Sequence, residues 1–282
     1  MIKVEAAGVN PSDTYQRLGP DGPWAATPHL LPKPPYPPGK DGAGTVEAIG
    51  PGVTEFSIGD RVYTNGSLTG TFAEYAVCSV EQCFALPDNI SFAQGAGVGV
   101  PCATAYRAIW QRGMLLPTES LFVHGASGAV GLAAVQMAVA AGCFVCGTAG
   151  SPAGEAAVAA AGAQCVVNHK TNGYLEKAKA ALPEGSSGYD VLLENAAHAV
   201  SKALHDNATS RPGWRLLMLL VPSLAESVSR LWCAGPARPS VHRWQQSRAY
   251  RFQSQANNAQ RTRHPVRLLV SLIPGHTTTQ KC

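Results

Sequence analysis

From residue 120 to residue 194 the chain alternates short apolar runs with alanine-rich stretches of helix length: "SLFVHG", "VGLAAVQMAVAAG", "CFVCGT", "AGEAAVAAAG", "QCVVN", "GYLEKAKAAL" and "YDVLLEN". Short apolar strands separated by helices of about ten residues imply right-handed crossovers, which predicts an α/β fold with a doubly wound parallel sheet. Residues 42–86 read differently, as short strands cut by turn signals: "GAGTVEAIG", "GDRVY" and "FAEYAV", separated by Pro51-Gly52, Asn65-Gly66 and Thr69-Gly70. They form a compact β module, and a helical run through "TAYRAIWQ" leads from it into the alternating part.

The first strand-to-helix turn of the alternating part is "HGASGAVG", with Gly125, Gly128 and Gly131 at intervals of three. This spacing departs from G-x-G-x-x-G, so position carries the argument. Between a strand and a helix, glycine lets the backbone approach a pyrophosphate whose charge the free N–H groups and the helix dipole favour. The bland alternative is a tight turn that needs glycine only for close helix packing. The repeated strand and helix pattern behind the turn favours a dinucleotide.

The next strand bears on which dinucleotide. An NAD site commonly presents Asp or Glu about 20 residues on, for the ribose 2′-hydroxyl. Here "CFVCGTAGSPAG" offers Thr148 and Ser151 and no acid until Glu155. A carboxylate there would repel a 2′-phosphate, and its absence permits NADPH. The following strand ends in "VVNHKT", where His169 and Lys170 place a cation that could pair with that phosphate; taken alone, His169 reads as an ordinary exposed loop histidine, and the missing acid tips the reading to NADPH.

A composition of 45% hydrophobic and 14% charged residues is that of a globular chain with a sizeable core. The net charge of +4 hides a division: residues 1–198 carry 10 basic against 16 acidic residues, and 199–282 carry 12 against 2. The latter stretch is rich in Arg, Gln and Ser and keeps no period of 2 or 3.6. The eight cysteines follow no framework spacing, the N-terminus lacks a secretory apolar core, and no run reaches the length of a membrane span, so a cytoplasmic setting is expected. Cys143 and Cys146, three apart on a strand, face opposite sides and read as buried small residues.

The segments "GVNPSDTY", "PPGKDGAGTVEAIG", "GDRVY", "FAEYAV", "LPDNISFAQGAGVGVPCATAYRAI" and "VHGASGAVG" run in order from near the start to residue 131. With the strands that follow, to about residue 198, they resemble the quinone oxidoreductases of the medium-chain dehydrogenase/reductase superfamily, the zeta-crystallin branch above all. The resemblance implies a GroES-like catalytic domain over residues 1–93, a Rossmann NADPH-binding domain over 94–222, and an atypical, poorly ordered basic tail over 223–282. It also implies an active site between the two domains, NADPH-dependent reduction of quinones or related activated double bonds, and a homodimer or homotetramer.

Carried over residue by residue, the resemblance places Asn10 and Tyr15 at the nicotinamide end and substrate pocket, and Thr104 facing the nicotinamide. It assigns Gly125, Ala126, Ser127, Gly128, Ala129, Val130 and Gly131 to the pyrophosphate, although the family commonly has Gly-Gly where this chain has Gly128-Ala129. Thr148, Ser151, His169 and Lys170 fall at the adenosine phosphate, and Asn195 near the nicotinamide ribose. On residues alone, Asn10 and Tyr15 read instead as a turn followed by a packed aromatic. Zinc relatives carry Gly-His-Glu where this chain has Gly39-Lys40-Asp41-Gly42, and no Cys and His set takes its place, so no metal is expected. The protein's task is then orientation, exclusion of water and polarisation of a carbonyl.

Two departures follow from the same resemblance. Family members begin several strands earlier, and beyond "LLENAAHA" their ending is not recognisable here, although "RPGWRLLMLLVP" suits a fifth strand. The expectation is a chain altered at both ends and reduced or inactive in consequence, with a shifted reading frame as the source of residues 199–282. The alternative function is a nucleic-acid-binding or structural protein. Its Arg-rich tail, with Trp232, Trp244, Tyr250 and Phe252, has the composition for pairing RNA phosphates and stacking bases.

Overall fold

The computed structural model describes residues 1–22, 24–25, 31–195 and, as backbone, 215–218. The chain divides into two units, Met1–Leu224 and Ala225–Cys282. The basic tail over 223–282, its degree of order and the RNA contact assigned to it lie outside the described residues.

An antiparallel sheet occupies the first part, in the order β4-β1-β2-β3-β5. Its strands are β1 (Ile2–Gly8), β2 (Asp41–Val46), β3 (Arg61–Asn65), β4 (Tyr75–Ala76) and β5 (Cys83–Ala85). Ile2, Val46, Val62 and Ala76 close one side of it; Ala43, Leu86 and Ala96 close another. The strand expected over "FAEYAV" shortens to Tyr75–Ala76. Residues 71–74 bend instead, because Thr71 turns inward to donate from Oγ1 to Asp41 O at 2.8 Å. "NPSDTYQRL" forms helix α1 (Pro11–Leu18), with Asn10 as its N-cap and Pro11 in the first turn, where a missing N–H costs nothing.

Helix α2 (Phe92–Ala96) is started by a capping box, Ser91 with Gln94. It is followed by α3 (Gly99–Tyr106) and one turn of π-helix over Arg107–Arg112. Helix α3 packs on β2 and β3 at one end and on α4 along its length.

The parallel sheet has the order β10-β9-β6-β7-β8. Its strands are β6 (Ser120–His124), β7 (Phe144–Ala149), β8 (Cys165–Asn168), β9 (Val191–Glu194) and β10 (Arg215–Met218). Helices α4 (Ala129–Ala140), α5 (Pro152–Ala160) and α6 (Tyr174–Ala180) connect the first four. Side chains alternate between two cores. Leu121, Val123, Val145, Val191 and Leu193 face α4 and α5, while Phe122, Cys146, Val167 and Leu192 face α6 and Tyr189. Strands β6, β7 and β9 are therefore covered on both sides, and the sheet is doubly wound. The fifth strand, Arg215–Met218, runs parallel to β9 from Arg215 beside Val191 to Met218 beside Glu194.

Candidate functional site

In the parallel sheet the chain leaves β6 for β7 on one side, and β9 takes the other. Ligands of such sheets bind beyond the carboxyl ends of the strands at this switch point. His124 and Gly125 end β6 there, and Glu194 and Asn195 end β9.

The turn after β6 is held from β7. Gly125 N–H donates to Thr148 Oγ1 at 3.0 Å, and Ala126 N–H to Thr148 O at 2.8 Å. The three glycines do three different things. Gly125 has φ of 70°, a left-handed conformation that other residues adopt only at a cost. At Gly131 an added Cβ would lie 2.6 Å from Ala126 Cα and Gly125 O, so close helix packing accounts for that glycine. At Gly128 the nearest atom is 3.7 Å away, and packing demands nothing. Gly128 is the N-cap of α4 and supplies no capping side chain; the first helical bond is Leu132 N–H to Gly128 O. The amides of Ala129, Val130 and Gly131 precede that bond, and Ser127, Gly128 and Ala129 are exposed. A helix of twelve residues thus presents bare N–H donors beside an open turn, a cradle for an anion.

Thr148, Ser151, His169 and Lys170 come together one strand over. Thr148 is wholly buried. Its oxygen accepts from Gly125 N–H at 3.0 Å and lies 3.2 Å from His169 Nδ1, a hydrogen bond whose donor is set by the His169 tautomer. Burial, then the neighbouring His124 and Lys170, pull the His169 pKa below its ordinary value. Gly150 lies against both residues: a Cβ there would meet His169 Nε2 at 2.7 Å and Lys170 Cε at 3.1 Å. Ser151 caps α5, accepting from Gly154 N–H at 3.2 Å. Glu155, the first acid after β7, accepts from Asn168 Nδ2 at 2.6 Å, and Asn168 is paired with Ala149 at the end of β7.

Sequence reasoning missed the pair at the switch point itself. His124 Nδ1 lies 3.1 Å from Glu194 Oε1, both side chains being almost sealed from solvent. The signal was available: each of the two central apolar strands ends in a single ionisable residue. The pair bridges β6 to β9, and Asn195 N–H donates to His124 O at 3.2 Å. Asn195 Nδ2 and Oδ1 are buried and have no hydrogen-bond partner among the described residues. Such orphaned groups cost stability unless a ligand meets them.

The other three candidates gather at the antiparallel sheet around a second missed residue, Asp41. Its carboxylate, fully buried on β2, accepts from Asn10 Nδ2 at 2.9 Å and from Val100 N–H, in the first turn of α3, at 2.9 Å. Thr104 Oγ1, one turn on, donates to Val100 O at 2.6 Å. Asn10 and Thr104 are thereby tied to one anchor. Burial pushes the Asp41 pKa up to about 6 against the lowering effect of those hydrogen bonds, and burial also raises Asp13, whose carboxylate reaches back to Asn10 N–H at 2.8 Å. Tyr15 meets Trp24 edge-on at 5.9 Å, and Lys40 Nζ lies 4.7 Å above the same Trp24 ring. Its hydroxyl makes no hydrogen bond among the described residues. The two groups of candidates share no direct hydrogen bond among the described residues; the packing of α3 on α4 connects them. No cluster of three or more His, Cys, Asp or Glu suited to a metal occurs among the described residues.

A β-rich antiparallel module joined through a helix to a five-stranded parallel sheet of this order is a GroES-like part followed by a Rossmann-like part. Residues 1–88 match the alcohol dehydrogenase GroES-like domain, and residues 129–210 match the zinc-binding dehydrogenase family. The chain belongs to the medium-chain dehydrogenase/reductase superfamily. Within it, the chain is similar to the quinone oxidoreductase of Homo sapiens, 43% identical over 194 residues, which are 69% of this chain and 56% of that protein. It thus spans little more than half the length of that relative. Its fold is also that of a Pseudomonas syringae quinone oxidoreductase, with a TM-score of 0.59, 23% identity, and 84% of this chain and 80% of that one covered. A mycobacterial protein solved in complex with NADPH gives a TM-score of 0.58 at 25% identity, covering 73% of this chain and 60% of that one. Among the described residues no helix is long and apolar enough to cross a membrane.

Proposed function

We propose that this chain binds NADPH across the carboxyl ends of β6, β7, β8 and β9 and reduces quinones or related activated double bonds. One observation carries the reading: the bare amides of Ala129 and Val130 open at the exposed turn 127–129, beside a β7 end that offers His169 and Lys170 and whose nearest acid, Glu155, is engaged by Asn168. The residues fit the cofactor. The α4 amides and Gly128 suit the pyrophosphate, and His169 Nε2 with Lys170 suits a 2′-phosphate. Asn195 would find partners for its orphaned amide in the ribose. Thr148 takes a supporting part, since it is buried and braces Gly125 and His169 together.

Bound nicotinamide supplies the hydride for the reaction. Asn10 and Thr104, fixed through Asp41 and Val100, form the wall that orients a substrate, and Tyr15 offers its hydroxyl to polarise a carbonyl. Thr104 has already donated its hydrogen to Val100 O, so it acts there only as an acceptor. No side chain of the group needs to act as a general base. The quinone-type substrate is supported by likeness to the quinone oxidoreductases, as is assembly into a homo-oligomer.

A thermal melt of the full chain with NADPH or NADH at matched concentration, followed by quinone-dependent oxidation of the better nucleotide, tests the reading. At 100 times Kd a ligand adds about 2.7 kcal/mol. For a domain of this size that raises Tm by roughly 5–10 °C. NADPH should produce the larger shift, and His169→Ala with Lys170→Ala should reduce it to that of NADH. Equal shifts from both nucleotides would defeat the NADPH assignment. No shift from either would defeat nucleotide binding, and a shift without turnover would confine the chain to binding.

A further inference from the structure

Cys146 and Cys165 were not linked by sequence spacing, yet they are directly paired neighbours on β7 and β8. Parallel strands about 4.8 Å apart bring paired Cα atoms within the 4.4–6.8 Å span of a disulfide. Paired residues point to the same face, and the two sulfurs lie 2.8 Å apart. Both belong to the core formed with Phe122, Val167, Ala178 and Tyr189. Cys146 is completely buried, whereas Cys165 is half-buried at the margin of that core. The Cys146 thiol donates to the Cys165 sulfur. That hydrogen bond lowers the Cys165 pKa and, with burial, raises that of Cys146. Thr148 stands two residues beyond Cys146, and His169 four beyond Cys165, so the pair sits directly beneath the candidate adenosine end.

We propose that Cys146 and Cys165 form an oxidisable dithiol that hydroperoxides convert to a cross-strand disulfide. Cys165 is the attacking sulfur, because it is the less buried of the two residues and the one whose thiolate is favoured. Its thiolate attacks the terminal oxygen of the hydroperoxide; the S–O bond forms, the O–O bond breaks, and the alcohol leaves after taking a proton. The sulfur is oxidised by two electrons and the peroxide is reduced by two. Cys146 then attacks the sulfenic sulfur, forming the S–S bond and expelling hydroxide, which departs as water with the Cys146 proton. Two thiols and one hydroperoxide thus give one disulfide, one alcohol and one water. The cross-link ties β7 to β8 without moving either strand's register.

The full chain is titrated with tert-butyl hydroperoxide, alkylated, cleaved after glutamate and mapped by mass spectrometry without reduction. Cleavage after Glu119, Glu155 and Glu176 leaves Cys146 and Cys165 in separate peptides. One equivalent should join peptide 120–155 to peptide 156–176 with a loss of two hydrogens, fragment ions should place the link at Cys146, and dithiothreitol should release it. Cys146→Ser should leave Cys165 as a sulfenic acid that dimedone labels, and Cys165→Ser should leave Cys146 alkylatable. Overturning results are Cys165 alkylated or overoxidised while Cys146 stays free, or a link that falls instead on Cys143. The readout needs no nucleotide, so it stands or fails apart from the NADPH reading.

Discussion

The residue that best shows how the site is held is Asp41, a carboxylate sealed between two sheet strands and the start of a helix. It accepts hydrogen bonds from Asn10 and Val100, yet burial outweighs them and lifts its pKa from 3.8 to about 6. The folded state therefore binds a proton more tightly than the unfolded state. Stability from this group is fully present below about pH 4 and is lost as pH rises through about 6. A shift of that size corresponds to an order of 3 kcal/mol. Asp41→Asn fixes the neutral form and keeps an acceptor for Val100, while Asn10 can turn its amide to complement it. Urea denaturation between about pH 4 and pH 7 should show wild type losing on the order of 2–3 kcal/mol more than the variant across the range. Parallel curves for the two proteins would remove Asp41 as the titrating group.

At the scale of elements, α4 divides its glycines between packing and access. Gly131→Ala would set a Cβ against the backbone of Gly125 and Ala126, which cannot rotate away, so the helix must lift from the turn. Overpacking of this kind costs about 1–3 kcal/mol. Gly128→Ala would set its Cβ in ordinary contact, 3.7 Å from Gly125 O, at a φ of −79°, and stability should change by less than about 0.5 kcal/mol. Both substitutions should weaken NADPH binding by calorimetric titration, but only Gly131→Ala should lower the urea midpoint. A Gly128→Ala variant that binds as wild type would clear that glycine of contact with the nucleotide. The elements themselves differed in how legible they were. Strands β6 and β9 could be read from the sequence because burial on both faces leaves an unbroken apolar run, and α4 because glycine and alanine mark its start. Strand β4 could not, since the Thr71 side chain bends the preceding residues by a bond to Asp41 thirty positions away. Asp41 was hidden for the same reason. Its meaning lies in Val100, which only the fold brings beside it, and an acid in "KDGAG" carries no local sign of burial. The cysteine pair was hidden likewise, since pairing across a crossover leaves no spacing to recognise.

On the scale of the molecule, α3 decides whether the two sheets behave as one cooperative body. It starts against β2 and β3, with Gly99 seated so closely that an added Cβ would collide with Asp41 Oδ1 and lie 2.6 Å from Thr64 O. It continues against α4, whose N-terminus forms the anion cradle. A disturbance at Gly99 thus stands between Asn10, Asp41 and Thr104 on one side and the nucleotide turn on the other. Gly99→Ala must displace either the Asp41 carboxylate or the helix, at a cost of about 1–3 kcal/mol. That strain falls on the joint rather than on the interior of either sheet. Scanning calorimetry of wild type should show one transition over the described part, raised as a whole by NADPH. In Gly99→Ala the transition should broaden or split, and NADPH should raise only the component that belongs to the parallel sheet. A single narrow transition in the variant, shifted intact by NADPH, would mean that contacts other than the α3 joint couple the sheets. The anchoring of Asn10 and Thr104 through Asp41 would then be a local matter of the substrate wall.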